Sequence, residues 1–109
     1  MSKRINWKKL VTLIPSRVQI APKVYYEVVW QKEIINSTGH HLYGVTDLTN
    51  KIITIKMGMP ARLTMETYTH EVCHAFSEEY KLGLTENQVL AMEHALPYVL
   101  KINNLLKEE

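Results

Sequence analysis

The residues of this chain whose spacing has the clearest chemical meaning are His70, Glu71 and His74. On an α-helix, residues four apart lie on the same face about 6 Å from each other, so both imidazoles can bind one metal ion. Glu71 projects about 100° away from His70 and can reach a water molecule in an open coordination position. The pattern predicts a zinc site with His70 and His74 as ligands and Glu71 as the general base. The predicted reaction is hydrolysis of an amide bond.

The alternative is that two histidines share a helix face by chance, and the surrounding sequence helps to decide. Residues 62–81 contain no proline or glycine, Pro60 suits a first helical turn, and Gly83 follows as a stop signal. The apolar residues of this segment occur at mostly helical spacings and are Leu63, Met65, Val72, Ala75 and Phe76. Residues 51–57 are rich in β-branched side chains and predict a strand. A strand therefore leads into the motif helix, as the metal-site interpretation requires.

A third ligand is expected from a second helix, which begins after a capping box formed by Thr85 and Gln88. That helix offers Glu86, Glu93 and His94. The two glutamates are seven residues apart and so share one face. In a simple antiparallel hairpin, Glu93 would lie closer to the level of the histidines. From the residues alone, either glutamate could be the ligand, with the other in a supporting role.

The sequence words THEVCHAF and LGLTENQV resemble small zincin-like metallopeptidases encoded by phages and prophages, which are similar in pattern to ImmA/IrrE-type proteins. The likeness covers about two thirds of the chain. It implies that Glu86 is the third zinc ligand and that Glu93 is the alternative. It also implies a zinc-dependent peptidase with a protein or peptide substrate, by analogy a repressor or another regulator. The metzincin extension is absent, because Ser77 and Tyr80 replace the glycine and third histidine of that pattern.

Length and composition predict one domain over residues 1–109, because a chain of 109 residues with 46% apolar residues can bury one core. Extended segments are predicted at 17–20, 24–30 and 51–57, and Asn6 is expected to cap a short helix over 7–14. The predicted fold is α+β, a minimal zincin-like domain. A small twisted sheet of about three strands packs on the motif helix and the C-terminal helix.

The charge pattern predicts neither a nucleic-acid nor a membrane partner. The net charge is only +2, and the C-terminal charges have mixed signs: Lys101, Lys107, Glu108 and Glu109. No segment is long enough to span a membrane, and Pro15 interrupts the apolar run that follows the N-terminal lysines. We therefore expect a cytoplasmic protein, and the oligomeric state stays open.

The single cysteine, Cys73, excludes an internal disulfide and fits a reducing compartment. Although it lies inside the motif, its direction on the helix predicts a thiol packed in the core rather than a zinc ligand.

A second class of function stays open beside the peptidase. A chain this short has little room for the second subdomain that usually completes a substrate cleft. The alternative is a catalytically weak or inactive zincin-fold protein that binds zinc and acts as an interaction or regulatory module.

Overall fold

A computed structural model describes residues 5–102 as an α+β fold of four strands and three helices. The elements in chain order are α1 (Trp7–Thr12), β1 (Arg17–Ala21), β2 (Val24–Gln31), β3 (Gly44–Asp47), β4 (Ile52–Lys56), α2 (Ala61–Glu79) and α3 (Glu86–Ile102). The predicted α+β class is confirmed, with four strands in place of about three. The additional strand is β3. The C-terminal charges at Lys107, Glu108 and Glu109 lie outside the described residues, as does the side chain of Lys101.

The strands form one mixed sheet in the order β1-β2-β4-β3. The central pair β2 and β4 is parallel, whereas β1 and β3 run antiparallel to their neighbours. The turn between β3 and β4 is held by Asp47, whose Oδ1 accepts hydrogen bonds from the backbone N–H groups of Thr49 and Asn50 at 3.1 and 3.0 Å. This topology leaves β3 at one edge of the sheet.

One face of the sheet carries the apolar core. Its fully or largely buried members are Tyr26, Val28, Ile53, Ile55 and, from α2, Ala75. The strand registers align these positions, because Val28 pairs with Ile53 across the parallel strands. Full burial of a valine or isoleucine side chain contributes about 1.5 to 3 kcal/mol. The helix α2 is therefore held against this face of the sheet.

The buried surface of α2 is more polar than its sequence predicts. Its buried residues are Thr64, Glu66, Thr67, Thr69, Glu71, Cys73 and Ala75. Phe76, which the periodicity placed on the apolar stripe, is 38% exposed. Polar side chains are tolerated in such positions because they find partners: Thr69 Oγ1, for example, donates to the Met65 carbonyl at 2.8 Å. The interior along α2 is thus built for polar contacts.

The predicted helix caps are present. Asn6 Oδ1 accepts a hydrogen bond from the Lys9 backbone N–H at 3.1 Å. Before α3, the Thr85 N–H donates to Gln88 Oε1 at 2.8 Å, and the Gln88 N–H donates to Thr85 Oγ1 at 3.2 Å, which completes the capping box. Within residues 5–102, no helix combines the length and the apolar character that a membrane crossing needs.

Candidate metal centre

The two motif histidines lie one turn apart in the middle of α2 and direct the same ring nitrogen to one point. Their Nε2 atoms are 3.0 Å apart, and the ring centroids are separated by 4.7 Å. The His70 side chain is 16% exposed and that of His74 is 34% exposed. The helical spacing therefore brings together the pair of imidazoles that the sequence predicted.

Glu86, the first residue of α3, completes a group of three potential ligand atoms. Its Oε1 lies 2.9 Å from His70 Nε2 and its Oε2 lies 3.5 Å from His74 Nε2. Ligand atoms around a tetrahedral zinc ion lie about 3.3 Å apart, given bonds of about 2.0 to 2.1 Å. Two imidazole nitrogens and one carboxylate oxygen are also a donor set that zinc accepts. The group His70, His74 and Glu86 therefore fits a zinc ion, although the ligand assignment stays a prediction.

Glu93 contacts the opposite side of the His70 ring. Its Oε1 lies 2.7 Å from His70 Nδ1, and its side chain is 13% exposed. A histidine that binds a metal through Nε2 carries a proton on Nδ1 and commonly donates it to a carboxylate. The two glutamates that the sequence could not separate thus contact different nitrogens of one imidazole. The arrangement favours Glu86 as the ligand and Glu93 as the group that orients His70.

Glu71 is buried, with 6% of its surface exposed, and it lies against the edge strand β3. Thr46 Oγ1 lies 2.8 Å from Glu71 Oε1 and 3.1 Å from the Glu71 carbonyl oxygen, and it can donate to either. Burial raises the pKa of the Glu71 carboxyl group above its usual range. The hydrogen bond from Thr46 and the charges of His70 and His74 lower this pKa, whereas the Glu86 carboxylate adds to the increase. A carboxylate with a raised pKa is better suited to accept a proton.

Gly44 allows β3 to approach the motif helix closely. It pairs with Ile55 of β4 and therefore faces α2, as does Thr46, which pairs with Ile53. A Cβ atom at position 44 would lie 2.7 Å from Thr67 Cγ2 and 3.1 Å from Glu71 Cγ. The contacts of real Cβ atoms are essentially never as short as 2.7 Å. The absence of a side chain at Gly44 is thus what brings β3 and Thr46 to Glu71.

Two neighbouring clefts meet at this centre. The larger has a volume of about 700 Å³ and is lined in part by Gly44, Thr46, His70, Glu71 and His74. The smaller, of about 340 Å³, also reaches Gly44, His70 and Glu71 and extends toward α3. The two candidate histidine ligands and the candidate base therefore line clefts that also border Gly44 of β3.

Other residues that could bind a metal or react lie away from the centre or pack inside the fold. His40 and His41 are exposed in a loop, where His40 Nδ1 lies 2.8 Å from Thr38 Oγ1. Cys73 is 3% exposed, as predicted for a packed thiol, and burial together with the nearby Glu93 charge raises its pKa. Within residues 5–102, neither the loop histidines nor Cys73 belongs to a group of three potential metal ligands.

Sequence reasoning missed Gly44 and Thr46 as parts of this centre. A turn at Asp47 followed by a β-branched strand is consistent with a hairpin, and that signal could have located β3. It would not have indicated that Thr46 contacts Glu71.

Comparison of the chain with protein-family models, with curated proteins and with solved structures found no match. The resemblance to zincin-like metallopeptidases therefore stays a prediction that rests on the motif words.

Proposed function

We propose that this protein is a zinc-dependent metallopeptidase that hydrolyses peptide bonds. The observation that carries the proposal is the meeting of the His70 and His74 Nε2 atoms with the Glu86 carboxylate, beside the buried carboxylate of Glu71. His70, His74 and Glu86 would hold the ion. When bound, zinc would polarise the scissile carbonyl group and lower the pKa of a water molecule.

The protein's own side chains supply the remaining chemistry. Glu71 takes the proton from the attacking water and returns it to the amine that leaves, so its protonation state must change twice in each cycle. Thr46 fixes the carboxylate by its contact with Glu71 Oε1. Glu93 fixes the His70 ring through Nδ1, so that Nε2 faces the centre. Thr46 and Glu93 thus hold the proposed base and one proposed ligand in place.

The edge strand supports a peptide as the substrate class. Among the described residues, β3 pairs only with β4, so its other side has unpaired backbone groups. An extended peptide can add to such an edge by main-chain hydrogen bonds. The two clefts that meet at His70 and Glu71 run on either side of the centre. The motif resemblance adds a protein substrate, such as a repressor or another regulator. The charge and hydropathy patterns predict a cytoplasmic protein with neither a nucleic-acid nor a membrane partner.

The alternative of a zinc-binding interaction module is favoured by one observation. The Glu86 side chain is 60% exposed, so the third predicted ligand lies at the protein surface. A partner that covers Glu86 would bury the centre and use the bound ion as part of an interface. This alternative needs zinc but does not need Glu71 to act as a base.

The test compares the wild-type protein with Glu71→Gln and with the control Glu27→Gln, an exposed glutamate of β2 that lines neither cleft. We expect all three proteins to hold zinc tightly by metal analysis. On a peptide library analysed by mass spectrometry, Glu71→Gln should lose about 100-fold to 10,000-fold in cleavage rate. Unchanged cleavage in Glu71→Gln would refute the role of the base. Tight zinc binding without any cleavage by the wild type would favour the interaction module.

A further inference from the structure

A second set of potential metal ligands lies next to the candidate zinc centre. On α2, Glu66 precedes His70 by one helical turn and continues the row of the two histidines toward the N-terminus of the helix. On α3, Glu93 and His94 are consecutive. Ligand atoms of Glu66, Glu93 and His94 all lie within 4.8 Å of one another. The two helices therefore bring together three donors at a level one turn away from His70.

One pair of donors in this set lies as close together as the donors of the first centre. His94 Nδ1 lies 2.7 Å from Glu66 Oε2, so a nitrogen and an oxygen that could bind one ion already face each other. The Glu66 side chain is 9% exposed and that of Glu93 is 13% exposed, whereas His94 is 60% exposed. The site thus has one buried and one largely buried carboxylate, and one imidazole that can be reached from solvent.

The charges of this set call for a cation. Buried carboxylates are costly unless they are paired, and these two have oxygen atoms within 4.8 Å of each other. Arg62 Nε lies 3.4 Å from Glu66 Oε2, but the Arg62 side chain is 65% exposed and its contact is long. Glu93 Oε1 lies 2.7 Å from His70 Nδ1. Among the described residues, Arg62 is thus the only lysine or arginine that pairs with either carboxylate, and it pairs with Glu66 alone.

We propose that Glu66, Glu93 and His94 form a second site for a divalent cation. Two carboxylate oxygens and one imidazole nitrogen suit zinc, and also manganese, since both accept mixed oxygen and nitrogen ligands. With one imidazole instead of two, this site should bind zinc more weakly than His70, His74 and Glu86. Glu93 links the two sites, because it contacts His70 and contributes to the second set. The proposal does not depend on the proposed peptidase activity, since neither His74 nor Glu86 takes part.

The test is a zinc titration of the full chain after removal of metal by a chelator, with folding checked by circular dichroism. We expect two zinc ions per chain, one bound more weakly than the other. His94→Ala should lose the weaker ion and keep the tighter one. The control His41→Ala, which removes an exposed loop histidine, should keep both. His74→Ala should lose the tighter ion and keep the weaker one, because it changes none of the three ligands of the second site.

Three results would overturn the second site. The first is one zinc ion per wild-type chain at saturation together with no zinc in His74→Ala. The second is two zinc ions in His94→Ala, and the third is loss of the weaker ion in His41→Ala. One zinc in the wild type that persists in His74→Ala but disappears in His94→Ala would instead support the second site and remove the basis of the proposed peptidase. If the metal-free protein unfolds, crystals of the purified protein soaked in zinc give the same answer. An anomalous signal between Glu66 and His94 supports the site, and its absence at full occupancy of the first centre refutes it.

Discussion

Replacement of Gly44 by alanine should destabilise the protein, although glycine to alanine in a strand usually has the opposite effect. A new Cβ atom would lie 2.7 Å from Thr67 Cγ2, about 1 Å closer than the preferred separation of two carbon atoms. Thr67 is 7% exposed and branched at Cβ, so its methyl group cannot move far. Overpacking of this kind costs about 1 to 3 kcal/mol. The reduced entropy of the unfolded chain offsets about 0.4 to 1 kcal/mol of that cost.

We therefore expect Gly44→Ala to lower the free energy of unfolding by about 1 to 2 kcal/mol, as measured by urea denaturation of the metal-free protein. The second substitution of the double-mutant cycle is Thr67→Ser, which removes only Cγ2. By itself it should lower the free energy of unfolding by about 1 kcal/mol. In the double variant the clash with Cγ2 is absent, so the total loss should be smaller than the sum of the single losses by at least about 1 kcal/mol. The close approach of β3 to α2 would be refuted if Gly44→Ala were as stable as the wild type. It would also be refuted if the stability losses of the two single variants simply added in the double variant.

Three further predictions concern the base, the orienting carboxylate and a buried phenol. Thr46→Val should leave zinc affinity unchanged but lower the peptidase rate, because Glu71 loses the hydroxyl group 2.8 Å from its Oε1; an equal effect on zinc binding and rate would contradict this. Glu93→Gln should weaken zinc binding about 10-fold to 100-fold in a chelator competition, since such supporting groups have effects of that size; wild-type affinity would exclude the orienting role. Burial raises the pKa of Tyr68 to about 12, so its contribution to stability is complete below pH 10 and is lost as the pH rises toward 12. Tyr68→Phe should reduce that alkaline loss by about 2 to 3 kcal/mol, whereas the exposed control Tyr25→Phe should not.

Helical periodicity and capping predicted much of the fold because they are local signals. The motif helix was expected over residues 62–81 and is found at Ala61–Glu79, and Thr85 with Gln88 forms the expected cap of α3. The strand β3 was missed because its pattern runs against the usual alternation. Its two positions that face the helix are Gly44 and Thr46, whereas the apolar Val45 is 38% exposed. A strand with glycine and threonine inside carries no hydrophobic signal with a period of two.

The candidate site was predictable as far as it depends on spacing within one helix. His70, Glu71 and His74 share the expected arrangement because four residues make about one helical turn. The roles of Glu86 and Glu93 were not separable, because both lie on one face of α3 and the choice depends on how α3 is positioned against α2. Only tertiary packing sets which imidazole nitrogen each carboxylate reaches. The contact of Thr46 with Glu71 joins residues 25 positions apart and had no local signal.

The division of the centre between helices and sheet has a consequence for how such a protein can change. Every predicted zinc ligand lies on α2 or α3, whereas Gly44 and Thr46, which hold the candidate base, lie on β3. Substitutions in one strand of four residues would therefore remove the proposed hydrolysis and leave the proposed zinc ligands unchanged. The two classes of function proposed for this chain then differ in what one edge strand does. A hydrolase of this design could become a metal-dependent binding protein by substitutions in that strand, without any change to its metal ligands.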